Sequence, residues 1–484
     1  MKTQENIILL ADAYKYSHHK LYYPGTNKIY SYFESRGGEF NETVFFGLQY
    51  FLKHYLQGKV ITKEKIDAAE KIMLQVFGRN DVFDRTKFEY ILREHDGKLP
   101  VCIKAVPEGT SVPVSNVLMT IENTDPECFW LSNFLETLLV QVWYPCTVAT
   151  LSREIRKIVE TYFEETASER ASEAIDFVLN DFGFRGVSSV ESAGIGGAAH
   201  LIHFNGSDNI AGSILAKDYY NTGHVYGRSI PATEHSICTL LGEEGELEMF
   251  KHVLETFPTG IVACVSDSFN IFRACSEYWG GELKETILKR EGVLVIRPDS
   301  GDPVLTLLRV FDILFEKFGF TVNEKGYKVL PPQVRVIQGD GININSIRTI
   351  YPALKLNDIS AENLVLGMGG ALLQKVDRDT QKFAFKCSYA EINGKPVDVQ
   401  KHPLEIDEHG RLTQSFKKSK KGRLKLIVTE NGYKTVKADD QPEHEDQLVT
   451  VFENGEIKNE VSFETVRERA ALVTSNNLKQ YQQH

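Results

Sequence analysis

From about residue 180 to 375 the sequence repeats one arrangement: an apolar run, a turn of Gly, Asp and Ser, then an amphipathic stretch of helical length. The repeat recurs every ~25–40 residues, the spacing of βα units. Gly260 to Val265 ends in Ser266-Asp267-Ser268, and Val293 to Ile296 ends in Arg297-Pro298-Asp299-Ser300-Gly301. Val334 to Ile337 ends in Gln338-Gly339-Asp340-Gly341, and Leu364 to Leu366 ends in Gly367-Met368-Gly369-Gly370. Between two of these runs, Val304, Leu307, Leu308, Phe311, Leu314, Phe315 and Phe318 form a single apolar stripe at helical spacing. Continuous rather than alternating apolar runs indicate parallel strands covered on both faces. An α/β barrel and an open doubly wound sheet both satisfy that condition. The barrel is favoured because polar clusters follow almost every strand, whereas an open sheet gathers its ligand site at one switch point.

The flanks read differently. Residues 1 to 150 mix helical stretches, such as Lys63 to Phe77, with short strands around Lys28 to Phe33 and Val112 to Ile121. Residues 376 to 484 carry hairpin signals at Glu430-Asn431-Gly432 and Glu453-Asn454-Gly455. The expected fold class is therefore α/β: a (β/α) barrel-like catalytic domain over 151–375, with an additional α+β domain formed by the N-terminal 1–150 and the C-terminal 376–484. A net charge of −11 disfavours a general nucleic-acid binder, so any phosphate site must be local. The strongest basic run is Lys417-Lys418-Ser419-Lys420-Lys421-Gly422-Arg423. Asp12 interrupts the apolar run Ile7 to Ala11 before it reaches the length of a secretory segment, and no stretch of about 18 uncharged apolar residues follows. Seven cysteines without a CxxC pair fit reduced, mostly buried thiols better than a disulfide framework or a zinc site. No membrane partner and a cytoplasmic location are expected.

Several strand ends carry groups suited to chemistry. Backbone N–H groups of Gly-rich turns at the start of a helix bind phosphate, and Gly339-Asp340-Gly341 and Gly367-Met368-Gly369-Gly370 occupy consecutive turns of that kind. Arg297-Pro298-Asp299-Ser300-Gly301 offers a guanidinium, a carboxylate and a hydroxyl together; the carboxylate suits ribose hydroxyls or Mg²⁺, while Asp299 or Ser300 also reads as a helix N-cap. His235, between Glu234 and Ser236, is a candidate for acid–base or nucleophilic work. Phe182, within Asp181-Phe182-Gly183, offers a ring for stacking an aromatic ligand or for filling the core. The kinase loops that would give this triplet another meaning are missing, as are HExxH, GxSxG and Walker A patterns.

Read in order, these segments resemble the nicotinamide phosphoribosyltransferase family of type II phosphoribosyltransferases, over nearly the whole chain. The resemblance is carried by Leu9-Leu10-Ala11-Asp12-Ala13-Tyr14-Lys15, Asn123-Thr124-Asp125-Pro126-Glu127-Cys128, Trp143-Tyr144-Pro145, Asp181-Phe182-Gly183-Phe184-Arg185-Gly186 and Ala193-Gly194-Ile195-Gly196, together with the strand ends already described. It implies a homodimer with shared active sites that transfers the phosphoribosyl group of phosphoribosyl pyrophosphate to nicotinamide. By similarity, nicotinamide is sandwiched between Phe182 and Tyr14 of the other subunit, with Asp208 receiving its amide N–H and Arg297 near its carbonyl. A carboxylate at position 208 would repel nicotinate by like charge. The resemblance places Asp299 on the ribose hydroxyls and the 5′-phosphate near Gly339, Asp340, Gly369 and Gly370. Arg185 and a lysine of the 417–421 run line the pyrophosphate side, with Arg36, Arg378 and Lys386 from the neighbouring subunit. Mg²⁺ is the implied cofactor and ATP a co-substrate that phosphorylates His235, which Asp267 orients. Which residues ligate the metal is left open.

The sequence departs from the family pattern in a short Gly37 to Asn41 loop, a long Leu404 to Phe416 segment, Phe184 in place of a tyrosine, and Met368-Gly369-Gly370-Ala371 in place of a more glycine-rich turn. The nearest rival reading is a nicotinate phosphoribosyltransferase, against which Asp208 argues. A second rival is a sugar-phosphate-binding barrel without catalysis.

Overall fold

The computed structural model describes residues 6–414 and 419–472. The chain forms two compact units, one of Met1–Thr150, Asp218–Thr222 and Asp377–Ala470, the other chiefly of Leu151–Lys217 and Gly223–Val376.

The second unit is built on six parallel strands: β1 (Leu179–Asp181), β2 (Gly206–Ser207), β3 (Thr259–Val265), β4 (Glu291–Arg297), β5 (Val334–Gln338) and β6 (Leu364–Met368). Their order is β2-β1-β6-β5-β4-β3, and every neighbouring pair is parallel. Residues 228–233 join the two outer strands. Arg228 and Ser207 are linked through Ser207 N to Arg228 O at 2.9 Å, and the far end is linked through Ala263 N to Pro231 O at 2.9 Å. The sheet thereby curls towards a barrel, and this segment pairs part of the backbone that its two outer strands would otherwise leave open.

Ala263, Val295 and Ile337 meet inside the curl, with Phe182, Ile230, Val293 and Val365 packed against them. These are alternate residues of successive strands, as a barrel filled by side chains requires. Helix Pro303–Phe318 covers the outside and buries Leu307, Phe311, Leu314, Phe315 and Phe318 of the stripe its periodicity predicted, while Val304 and Leu308 of that stripe are half-buried and Val310 and Ile313 are buried beside it. Its N-cap is Asp302, whose carboxylate accepts from Leu305 N at 2.9 Å, and Pro303 follows at the first helical position. The cap is thus neither Asp299 nor Ser300, and Asp299 is free for other work.

The first unit contains an antiparallel seven-stranded sheet in the order 395–398, 383–392, 26–35, 117–123, 101–105, 449–453, 456–457. N-terminal and C-terminal strands interleave, so neither part completes the sheet alone. Strand Thr26–Ser35 is buried along nearly its whole length because it is central, with Phe383–Ile392 on one side and Val117–Asn123 on the other. Both Asn-Gly signals form hairpins, Leu424–Thr429 with Gly432–Lys437 and Val449–Glu453 with Glu456–Ile457. The helix expected over Lys63–Phe77 is present, capped by Thr62. The strand expected over Val112 to Ile121 is broken at Ser115, which sits at φ 66° between Ser111–Pro113 and Val117–Asn123.

One helical stretch among the described residues, Pro126–Thr166, has a window of mean hydropathy 1.2, enough by length and composition to cross a membrane. Of that window 67% is buried inside the protein, the state of a core helix.

Candidate active site

Apart from the His235 turn, which follows segment 228–233, the chemistry-bearing turns of the second unit follow the C-terminal ends of its strands, so one rim collects them. A cavity of about 600 Å³ opens there, lined by Asp181, Phe182, Phe184, Arg185, Val187, Ser188, Ser189, Val190, Asp208 and Arg297.

Phe182 is half-buried, its inner side on the barrel core, with the Arg297 guanidinium 5.5 Å from its ring centroid. The ring fits because residue 367 lacks a side chain: a Cβ on Gly367 would lie 2.1 Å from Phe182 Cε2. Arg297 leaves the end of β4 and clasps Asp299, donating from Nε at 3.1 Å and from Nη2 at 2.9 and 3.0 Å. A Cβ on Gly339, at the end of the adjacent β5, would lie 2.9 Å from Asp299 Oδ1 and 3.1 Å from Arg297 Nε. Gly339 therefore makes room for the pair. Burial raises the Asp299 pKa and the nearby Asp267 charge adds to the rise, while Arg297 and, less strongly, His235 oppose it.

Asp208 lies at the end of β2. Its Oδ1 accepts from Ser229 Oγ at 2.5 Å, and its backbone N–H donates to Asp181 O at 3.0 Å. Asp181 is wholly buried behind it and accepts from Gly183 N at 2.7 Å and Asn209 Nδ2 at 2.9 Å. Burial nevertheless lifts the Asp181 carboxyl to about 6, with Asp208 pushing the same way. Asn209 and Ser229 escaped the sequence reading. Asn209 adjoins a candidate in sequence, but Ser229 has no such signal.

His235 opens the one-turn helix His235–Cys238, with its side chain half exposed. Its Nε2 lies 3.2 Å from Oδ1 of the nearly buried Asp267, which follows β3. The strand end that carries Asp267 is fixed from behind, where Trp279 Nε1 donates to Ser266 Oγ at 3.0 Å and Ser266 Oγ donates to Cys264 O at 2.9 Å. At the two glycine turns expected to bind phosphate, Gln338 Nε2 donates to Asp340 O at 2.9 Å, and Gly369 caps the short helix Gly370–Leu373.

The first unit holds the remaining candidates. Tyr14 lies on the turn Ala13–Ser17 with 59% of its surface exposed, as an aromatic offered for stacking must be. Arg36, at the end of the central strand, donates from Nε to Glu34 Oε1 at 2.7 Å. Lys386 lies on the adjacent strand opposite Tyr32. Burial lowers the Lys386 pKa, and the positive charges of Arg36, Lys401 and Arg378 lower it further against the pull of Glu136. Three expected pyrophosphate-side cations therefore share one electrostatic neighbourhood, to which Lys401 is an addition. Of the basic run, Lys420 donates from its backbone N to Tyr32 Oη at 2.8 Å, and its ammonium pairs with Glu34. Lys417 and Lys418 lie outside the described residues.

Two solved structures share this architecture. They are nicotinate-nucleotide pyrophosphorylase from Pyrococcus furiosus (TM-score 0.58, 16% identity, 100% of this chain and 97% of that one) and human nicotinic acid phosphoribosyltransferase (TM-score 0.55, 17% identity, 98% and 94%). The fold is that of a barrel-type phosphoribosyltransferase. Residues 177–456 match the model of the nicotinate phosphoribosyltransferase (NAPRTase) family, and residues 6–103 match the nicotinamide phosphoribosyltransferase N-terminal domain. Curated relatives called nicotinamide phosphoribosyltransferase include those of Xanthomonas campestris pv. campestris, 46% identical over 96% of this chain and 98% of the relative, and Acinetobacter baylyi, 32% identical over 97% and 98%. The chain belongs to the NAPRTase family of enzymes and stands within it among the nicotinamide phosphoribosyltransferases.

Proposed function

We propose that this enzyme transfers the phosphoribosyl group of phosphoribosyl pyrophosphate to nicotinamide, giving nicotinamide mononucleotide and pyrophosphate, with ATP raising turnover through phosphorylation of His235. The observation that carries the choice of base is Asp208, a carboxylate at the mouth of the cavity that holds Phe182 and Arg297. An amide N–H is a donor to that carboxylate, whereas a nicotinate carboxylate is repelled by it. Stacking on Phe182 supplies affinity that does not discriminate between the two.

Asp299 receives the ribose hydroxyls and the turns at Gly339-Asp340 and Gly369-Gly370 the 5′-phosphate. Arg185 faces the negative charge that develops on the pyrophosphate as the C1–oxygen bond breaks, electrostatic work that needs no covalent intermediate, while Arg297 lies near the nicotinamide carbonyl. Mg²⁺ fits the residues present: Asp267 and Asp299 are oxygen donors close enough for one to raise the other's pKa, and a divalent cation relieves that repulsion. It would neutralise charge on the pyrophosphate. In this reading Asp267 holds the His235 imidazole by its Nε2, and the exposed side of the ring accepts the phosphoryl group. The enzyme acts as a cytoplasmic homodimer whose second subunit lends Tyr14, Arg36, Arg378 and Lys386 to each site.

The test supplies phosphoribosyl pyrophosphate and Mg²⁺ with either base, with and without ATP, and quantifies each mononucleotide by mass spectrometry. Product from nicotinamide, raised by ATP in the parent but not in His235→Ala, is expected. Product from nicotinate alone would overturn the role of Asp208, and ATP stimulation that survives in His235→Ala would overturn that of His235.

A further inference from the structure

Residues 234–245 follow segment 228–233 along the surface, and Cys238 is their single buried member. One thiol thus fastens the turn that presents His235. Cys238 Sγ lies 3.2 Å from Thr233 Oγ1, 3.2 Å from Val265 O and 4.0 Å from Cys264 Sγ. Cys264 is wholly buried on β3, three residues before Asp267, as Cys238 is three residues after His235. The two sulfurs therefore tie together the segments that carry the His235–Asp267 pair.

We propose that Cys238 and Cys264 are a redox modification site: hydrogen peroxide joins them as a disulfide, and the cross-link shifts the position of His235 relative to Asp267. The functional consequence rests on the reading of His235 given above. The Cys238 thiolate attacks one peroxide oxygen, forming a sulfenic acid and releasing one water once protonated. The Cys264 thiol then attacks the sulfenic sulfur, loses its proton and expels the second water. The two sulfurs together give up two electrons, and the peroxide takes them.

The environment prepares this order of events. Hydrogen bonding with Cys264, helped by Thr233 and the nearby His235, lowers the Cys238 pKa against burial. Its partner's hydrogen bond and burial push Cys264 up, and Cys264 is enclosed on β3 whereas Cys238 sits on a surface turn, so Cys238 is the attacking thiolate. Every other residue of 234–244 is exposed, so opening a single short turn uncovers the sulfur. A disulfide needs an S–S separation of about 2 Å, which draws the His235 turn about 2 Å towards β3. A displacement of that size changes the geometry of the 3.2 Å contact between His235 Nε2 and Asp267 Oδ1, and with it the way the ring is held.

The experiment treats the reduced full-length protein with hydrogen peroxide and follows three readouts: peptide mapping, the rate of His235 carbethoxylation by diethyl pyrocarbonate, and nicotinamide mononucleotide formation with and without ATP. The expected result is a Cys238–Cys264 peptide lacking two hydrogens, a changed rate of His235 modification, and ATP stimulation lost while basal transfer persists. Dithiothreitol should reverse all three, and Cys264→Ala and Cys264→Ser should keep ATP stimulation after peroxide. Absence of the linked peptide from the folded protein, or its formation with His235 reactivity unchanged, overturns the proposal. ATP stimulation missing already in the reduced parent counts instead against the role of His235, because the first two readouts do not depend on it.

Discussion

Replacing Asp181 with asparagine removes a carboxyl that the barrel holds in unfavourable surroundings. Burial carries its pKa from the ordinary 3.8 to about 6 in spite of donors from Gly183 and Asn209. An upward displacement of that size makes the ionised form about 3 kcal/mol less favourable in the folded than in the unfolded chain. Because the folded pKa is the higher one, its stabilising contribution is complete below about pH 4 and is lost as pH rises through about 6. Asp181→Asn carries no titrating proton at this position. The unfolding free energy of the parent minus that of the variant should therefore fall by about 3 kcal/mol between about pH 4 and pH 7, then level off. Urea titrations of both proteins across this range, followed by circular dichroism, measure the difference. A difference that does not change with pH, or one that grows as pH rises, would refute the reasoning, because either requires an Asp181 pKa at or below its ordinary value. A second arm, in Asp208→Asn, removes the neighbouring charge and should narrow the fall.

Three other substitutions test the packing that supports the site. Gly339→Ala places a methyl group against Arg297 and Asp299, and kcat/KM for phosphoribosyl pyrophosphate should drop roughly 10–100-fold with the melting temperature little changed. Trp279→Phe deletes the indole donor to Ser266 and should cost about 1 kcal/mol in denaturant unfolding, with a lower kcat because the Asp267 turn loses its brace. In the first unit, buried Glu108 accepts from Gly47 N at 2.9 Å, Gln49 N at 2.6 Å and Tyr220 Oη at 2.7 Å. Glu108→Ala leaves these three donors unpaired, and calorimetry should register a loss of about 3 kcal/mol or more.

The parts of this protein legible in its sequence are those set by near neighbours. Continuous apolar runs at β3 to β6, the stripe of helix Pro303–Phe318 and the Asn-Gly hairpins are local patterns, and each element formed where its pattern lay. Strand ends could likewise be read as a chemical rim, since parallel strands joined by helices must all finish on one side. The helix cap at Asp302 was a near miss, because Asp299, Ser300 and Asp302 all have the side chain a cap needs. Only the chain's path shows which of them meets Leu305 N.

Contacts between residues distant in the chain were decided by the tertiary structure alone. Residues 228–233 have no strand pattern, yet they bridge the two outer strands because both leave backbone groups unpaired beside them. Strand Thr26–Ser35 pairs with Phe383–Ile392 across 348 residues at one end (Ser35 with Phe383) and 366 at the other (Thr26 with Ile392), and that pairing brings Arg36 near Lys386. Ser229 meets Asp208, and Cys238 meets Cys264, for the same reason. Composition and periodicity fix which elements form and which groups stand at their ends. Burial fixes what those groups can do, since the pKa of Asp181 and the clasp of Arg297 on Asp299 depend on how little water the surrounding chain leaves.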